Sequence, residues 1–272
     1  MDKLNNTHCK LLSEISVYHF CTVTHFHMIT GLSVNYIREC LSDLKRKKYV
    51  HTFIVVVTHK VRAEAFHYLS KKGADFLTTY KGVMPDSLHI PIGTVKVSGD
   101  YFHRYHYTTF CILFRQYAEK NGVQIDFMHS YFSKSGSAKA RNLQAATQIP
   151  LYQKGKGYYV PDGVIRTANN LFIVEVYNDH SLTRIVNSLS TSSIAISNST
   201  PGLTFGVAAN PKVLAVFTHT MTMKHVVQKL QHTEGFTANM ASLFFFASLE
   251  ELQVGNIGNA FSTIHGTQLL IT

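Results

Sequence analysis

The sequence predicts a mixed α/β chain in two parts: a basic, helical front and a back half in which strands and helices alternate. Three observations predict it. Between residues 8 and 48, apolar residues recur at helical spacing behind residues that cap helices well. Beyond residue 123, β-branched and aromatic runs such as LFIVEVY, KVLAVF and LFFFAS alternate with helical stretches. Charge divides the chain in the same way. Residues 1–150 hold 19 Lys+Arg against 10 Asp+Glu, and residues 151–272 hold 7 against 6.

In the front, Leu11, Leu12, Ile15 and Tyr18 share a helical face within residues 8–20. Thr22 is placed to cap a short helix, VTHFHMI, that stops at Gly31. Ser33 caps a third, VNYIRECLSDLKRKK, whose Ile37, Cys40, Leu41 and Leu44 form one stripe. Two helices joined by a short glycine-containing turn match a helix-turn-helix. The strand YVHTFIVVV, a break near Thr58–Lys60 and the extended run EAFHYLS then supply a β-wing, and a helix starts near Lys71. Residues 1–80 therefore predict a winged helix-turn-helix domain. Its DNA-facing residues are Asn35, Tyr36 and Arg38, near the start of the third helix and away from its stripe. Lys45, Arg46, Lys47 and Lys48 end that helix, placed for phosphates, although such a cluster also suits the dipole of any solvated helix.

Composition bounds the rest. With 272 residues, 45% of them hydrophobic, and a mean hydropathy near zero, the chain is no disordered or fibrous sequence. No run approaches the roughly 18 apolar residues of a membrane span. The opening MDKLNNTHCK lacks a basic-then-apolar leader. The expectation is a soluble, cytoplasmic protein with no membrane partner. Cys9, Cys21, Cys40 and Cys111 show no CxxC spacing, which predicts buried free thiols rather than a zinc site.

Residues 81–100 hold two prolines with several glycines and serines and read as a linker. Residues 101–272 then form the second domain. A helix over YFHRYHYTTFCILFRQYAEKNG stops at Gly122, and the strand VQIDFMHSYF follows. Residues 133–157 read as a basic loop in which Lys139 and Arg141, with Lys134, Lys154 and Lys156, offer charge to a phosphate backbone; an ordinary solvated loop fits equally. YYVPDGVI and NNLFIVEVYN predict a hairpin. DHSLTRIVNSLSTSSIA reads as helical at its start, the Ser/Thr/Asn/Gly-rich stretch from Asn187 to Asn210 has no clear pattern, KVLAVFTHT and SLFFFASLEEL read as strands, and KHVVQKLQH as a helix. Together these predict an α/β domain with a mixed sheet.

The chemistry concentrates at Pro161-Asp162-Gly163 and Glu175-Val176-Tyr177. Carboxylates on adjacent strands of a hairpin can converge on one divalent cation, Mg²⁺ or Mn²⁺, which polarises a phosphate and activates the attacking group. An ionised side chain within LFIVEVY also calls for a partner. The alternative is a Glu on the solvated face of an edge strand. His103 and His106 share a helix face and suit either a metal shell and general base or amphipathic packing. Asp126 is a further candidate ligand.

The winged helix-turn-helix, the PDG…VEV hairpin and the PKVLAVF strand, in that order, resemble the replication-relaxation family, which includes MobC-type plasmid mobilisation relaxases. The resemblance rests on CTVTHFHMITGLSVNYIRECLSDLKRKKYV, YLSKKGADFL, His103, PDG at 161–163, IVEVY at 173–177 and PKVLAVF at 211–217. It implies a PD-(D/E)xK-like nuclease domain whose acidic pair is Asp162 and Glu175. It also implies a metal-dependent single-strand cut in double-stranded DNA at an origin of transfer or replication, beside other relaxosome proteins, in a bacterial cytoplasm. The family's lysine position holds Tyr177, a departure, with Arg184 as the nearest cationic substitute and Lys212 farther off. Relaxases attack DNA through a tyrosine, which gives Tyr177 a second reading as nucleophile beside that of an aromatic filling the sheet. The opposing expectation is a non-catalytic replication or transcription regulator whose degenerate nuclease fold serves as a dimerisation module.

Overall fold

The chain is mixed α/β and contains a mixed sheet. The computed structural model describes residues 3–55, 63–84, 88, 100–135, 144–154, 156–178, 181–207, 211–233, 236, 238–255 and 257–271. Two compact units divide it, Met1–Ile112 and Leu113–Thr272. Among the described residues no helix is long and apolar enough to cross a membrane.

The front unit runs α1 (Asn6–Tyr18), α2 (Val23–Thr30), α3 (Val34–Arg46), β1 (Val50–Phe53), β2 (Phe66–Leu69) and α4 (Lys71–Lys81). The caps expected from sequence form. Thr22 Oγ1 accepts the His25 N–H, and Ser33 Oγ the Tyr36 N–H. Gly31 closes α2 at φ 69°, a left-handed conformation that glycine adopts without strain, and so sets the tight turn into α3. β1 and β2 pair antiparallel, and Cys21 adds a one-residue bridge beside His67. The stripe Ile37, Cys40, Leu41 and Leu44 is buried with Leu11, Leu12, Ile15, Phe26 and Phe66. Each such side chain, fully withdrawn from water, contributes about 1.5–3 kcal/mol. Gly73, in the first turn of α4, is required for another reason. A Cβ there would stand 2.3 Å from the Tyr49 carbonyl oxygen, which already accepts from Ser70 Oγ.

The next helix, α5 (Tyr101–Asn121), contains the unit boundary. Its first half completes the front core: Tyr101 lies 4.7 Å from Phe66, and Tyr105 lies 4.6 Å from His25.

The back unit continues with β3 (Ile125–Ser130), the two-residue strands β4 (Lys134–Ser135), β5 (Gln144–Ala145), β6 (Ile149–Pro150) and β7 (Tyr158–Tyr159), then β8 (Gly163–Thr167) and β9 (Leu171–Tyr177). Next come α6 (Leu182–Ser197), α7 (Thr200–Phe205), β10 (Lys212–Phe217), α8 (Thr220–Gln231), α9 (Ala238–Ala241), β11 (Phe244–Ser248), α10 (Leu249–Val254) and α11 (Ile257–Ala260). The main sheet has the order β11-β10-β9-β8-β3. β3, β8 and β9 form an antiparallel meander, and β9, β10 and β11 run parallel. One face of the sheet, with Ile173, Tyr177, Val213, Ala215, Phe217, Phe244 and Phe246, packs with Ile185, Leu189 and Ile196 of α6 and Val226 and Leu230 of α8. On the other face, Phe114 of α5 meets Phe172 edge-on at 5.7 Å.

Three segments differ from the sequence expectation. The loop expected over 133–157 contains paired strands: β4 with β5, and β6 with β7. The unpatterned stretch after Asn187 is helical through α6 and α7. SLEEL is not strand beyond Ser248, because Ser248 and Glu251 form a capping box that starts α10. The Thr58–Lys60 break and most of the expected linker lie outside the described residues.

Candidate functional site

In the back unit the sheet brings the two predicted carboxylates together. β8 pairs with β9 so that Gly163 faces Val174. One further step of that register sets Asp162 beside Glu175 across the hairpin. Both are buried, at 8% and 6% exposure. β9 is the central strand of five and all seven of its residues are buried. The solvated edge-strand alternative for Glu175 is thereby overturned. A carboxylate in this position needs hydrogen-bond partners, and the fold supplies them. Asp162 Oδ2 accepts the Val176 backbone N–H at 2.7 Å. The Tyr159 hydroxyl donates to Glu175 Oε1, and Ser192 Oγ of α6 donates to the Tyr159 oxygen at 2.6 Å.

Two turns of α6 build this polar seam. Ser188 and Ser192 are one turn apart on one helix row, and α6 packs back along β9. Ser192 therefore meets the Tyr159–Glu175 pair, while Ser188 Oγ accepts the Tyr177 hydroxyl at 3.2 Å. Arg184 begins the same row, exposed in the first turn of α6. Burial, then the neighbouring Glu175 charge, pushes the Tyr159 and Tyr177 phenols well above their ordinary range. For Tyr177 that is the reverse of what a nucleophile requires. Its ring packs 5.1 Å from Phe217.

The remaining candidates fall elsewhere. Lys212 opens β10 opposite Phe172, whereas Ala215 is the β10 residue opposite Glu175. Three residues of alternation put Lys212 on the other face, where burial lowers its pKa from the ordinary lysine value. Asp126 stands at a bulge in β3 and pairs with Arg166 at 3.3 Å. Among the described residues, no group of three or more His, Cys, Asp or Glu is arranged to hold a metal ion. Asp162 and Glu175 thus form an acidic pair. A pair suffices for Mg²⁺ or Mn²⁺, which take one or two protein carboxylates and fill the other positions with water and substrate phosphate. The hard-oxygen donor set fits that class of ion.

The front unit offers a basic surface. Asn35, Tyr36 and Arg38 are exposed, on the side of α3 opposite its buried stripe. The terminal cluster divides. Arg46 and Lys47 both pair with Asp43, whose carboxyl falls to about 2 through those bonds, Lys47 first. Lys45 and Lys48 are exposed. Lys71 and Lys72 at the start of α4 are exposed beside them, with Lys72 Nζ donating to the Lys47 carbonyl at 2.9 Å and lying over the Tyr49 ring. The sequence reading overlooked this second lysine pair, although the dipeptide directly follows the Ser70 cap. His103 belongs to the front unit's half of α5, with Nδ1 3.4 Å from Asp100. Lys139 and Arg141 lie outside the described residues.

One buried histidine was also overlooked. His25 Nδ1 accepts the Thr22 N–H at 3.2 Å, so the proton sits on Nε2, which donates to Thr109 Oγ1 at 3.1 Å. Burial holds this imidazole neutral, with a pKa near 3. It secures the α2 cap and offers nothing to a ligand. Compared with known proteins, the chain matches no family model, no curated protein and no solved structure.

Proposed function

We propose that the protein binds double-stranded DNA through a winged helix-turn-helix front unit and cuts one strand with a metal-dependent, PD-(D/E)xK-like back unit, as in the replication-relaxation family. The observation that carries this reading is the buried Asp162–Glu175 pair, set across the β8–β9 hairpin of the five-stranded mixed sheet. The front unit supports it independently. Its helix order, its paired β1–β2 wing and the exposed Asn35, Tyr36 and Arg38 on α3 suit a recognition helix in the major groove. Lys45, Lys48, Lys71 and Lys72 suit phosphates.

In this reading Asp162 and Glu175 hold Mg²⁺ or Mn²⁺, which supplies Lewis-acid polarisation of the scissile phosphate. The Val176 N–H fixes the Asp162 carboxylate, and Tyr159 with Ser192 fixes Glu175. Arg184 offers the cationic group in place of the missing lysine.

The test is conversion of a supercoiled plasmid carrying an origin of transfer or replication to open circle in Mn²⁺ or Mg²⁺. Wild type converts it, and Asp162→Asn and Glu175→Gln do not. A plasmid that shifts in a gel but is never cut favours the second reading, a DNA-binding regulator with a degenerate nuclease fold. Tyr177 supports that reading, because a phenol buried against Ser188 stands where the family carries its lysine.

A further inference from the structure

The β6–β7 hairpin carries a surface that the cleavage reading does not use. Ile149 and Pro150 pair with Tyr159 and Tyr158, and the Leu151 N–H donates to the Gly157 carbonyl at 3.0 Å. Side chains alternate across such a ribbon. Ile149 and Tyr159 point into the core with α6, and Leu151 packs against it. The opposite face carries Tyr152 and Tyr158, 45% and 63% exposed. Lys154 and Lys156, in the connection between the two strands, are exposed. No acidic residue occurs from Ile149 to Val160.

Two tyrosine rings left in water on one face of a hairpin forgo the burial that makes aromatic residues useful to a fold. Lysines between them in the chain, with no carboxylate near them in sequence, favour a polyanion. Rings that project outward can stack on bases only where those bases are unpaired, since a duplex keeps its bases stacked on one another. The inward residue next to Tyr158 is Tyr159, whose hydroxyl bonds Glu175.

We propose that the outer face of the β6–β7 hairpin binds single-stranded DNA, with Tyr152 and Tyr158 stacking on unpaired bases and Lys154 and Lys156 meeting phosphates. This rests on the DNA-processing reading above and adds which form of DNA the back unit grips.

The test uses the full chain in EDTA and a labelled oligo-dT of about 15 nucleotides, followed by fluorescence anisotropy. Wild type binds it. The Tyr152→Ala/Tyr158→Ala double variant weakens binding about tenfold or more, and Tyr152→Phe/Tyr158→Phe restores it. Lys154→Ala/Lys156→Ala flattens the slope of log affinity against log salt by about 1.4. Because the chain has no tryptophan, Tyr158→Trp installs a single indole, whose emission falls when oligo-dT stacks on it. An alanine pair that binds like wild type overturns the proposal, and so does bound oligo-dT that leaves the indole emission unchanged. EDTA keeps the two readings separable. A chain that grips oligo-dT through these tyrosines yet never nicks plasmid retains this proposal and loses the cleavage reading; a chain that nicks while its tyrosine variants bind normally does the reverse.

Discussion

The two units each bury a titratable side chain, and they treat it in opposite ways. In the front unit His25 is neutral, accepts a hydrogen bond from the Thr22 backbone N–H and donates one to Thr109 Oγ1, and so closes a helix cap. In the back unit Glu175 sits among the apolar residues of a buried central strand, beside a second carboxylate. Removing the histidine would open a cap, so the fold itself explains it. The Glu175 carboxylate completes no helix cap, yet the fold commits Tyr159 and, behind it, Ser192 to holding it. A buried polar group that completes the backbone's own hydrogen bonding is architecture. One that needs extra side chains to be tolerated points toward chemistry.

The sharpest test of this contrast is Glu175→Gln. It keeps shape and hydrogen bonding, and it should lower nicking by about a hundredfold or more while leaving the denaturation midpoint close to wild type. An equal loss of stability and nicking would make Glu175 structural after all.

Acid should act on the front unit. His25 has a folded pKa near 3 and His67 near 4, both lowered mainly by burial from an unfolded value near 6.5. The unfolded chain therefore binds more protons below that value. Stability is intact above about pH 6.5 and falls as the pH drops toward 4, by about 2 kcal/mol for each histidine at pH 5. Urea unfolding followed at both pH values checks this; a front unit equally stable at pH 7 and pH 5 would refute the neutral-cap account.

The smallest effect expected is that of Tyr177→Phe. It removes one hydroxyl bond to Ser188, worth about 1 kcal/mol in thermal unfolding. Nicking should survive it, whereas a tyrosine nucleophile at this position would abolish nicking outright.

Legibility followed the range of the forces involved. Caps and stripes act within four residues, so Thr22, Gly31, Ser33 and the Ile37–Leu44 face could be read directly. Asp162 and Glu175 stood out because a charge in an apolar strand is locally conspicuous, although their opposition across the hairpin depends on register. The length of α6 was hidden by composition. Its serines and threonines look like loop, yet Ser190, Thr191 and Ser193 each donate to the carbonyl four residues back, at 2.8–3.0 Å, and so spend their hydroxyls inside the helix. The Ser192–Tyr159–Glu175 chain joins residues 16 and 33 positions apart. Its sole local trace is the alternation of Tyr158 and Tyr159 across one short strand.

That chain of hydroxyls also decides how the back unit meets strong alkali. With fourteen tyrosines and no tryptophan, the near-ultraviolet spectrum of this protein belongs to phenols. Ionising Tyr159 in place would set a phenolate against the Glu175 carboxylate in a buried site, and Tyr177 faces the same charge. The tyrosinate band from these two rings should therefore rise in a single step as the unit opens, so that alkaline absorbance becomes an intrinsic clock for the unfolding of the sheet.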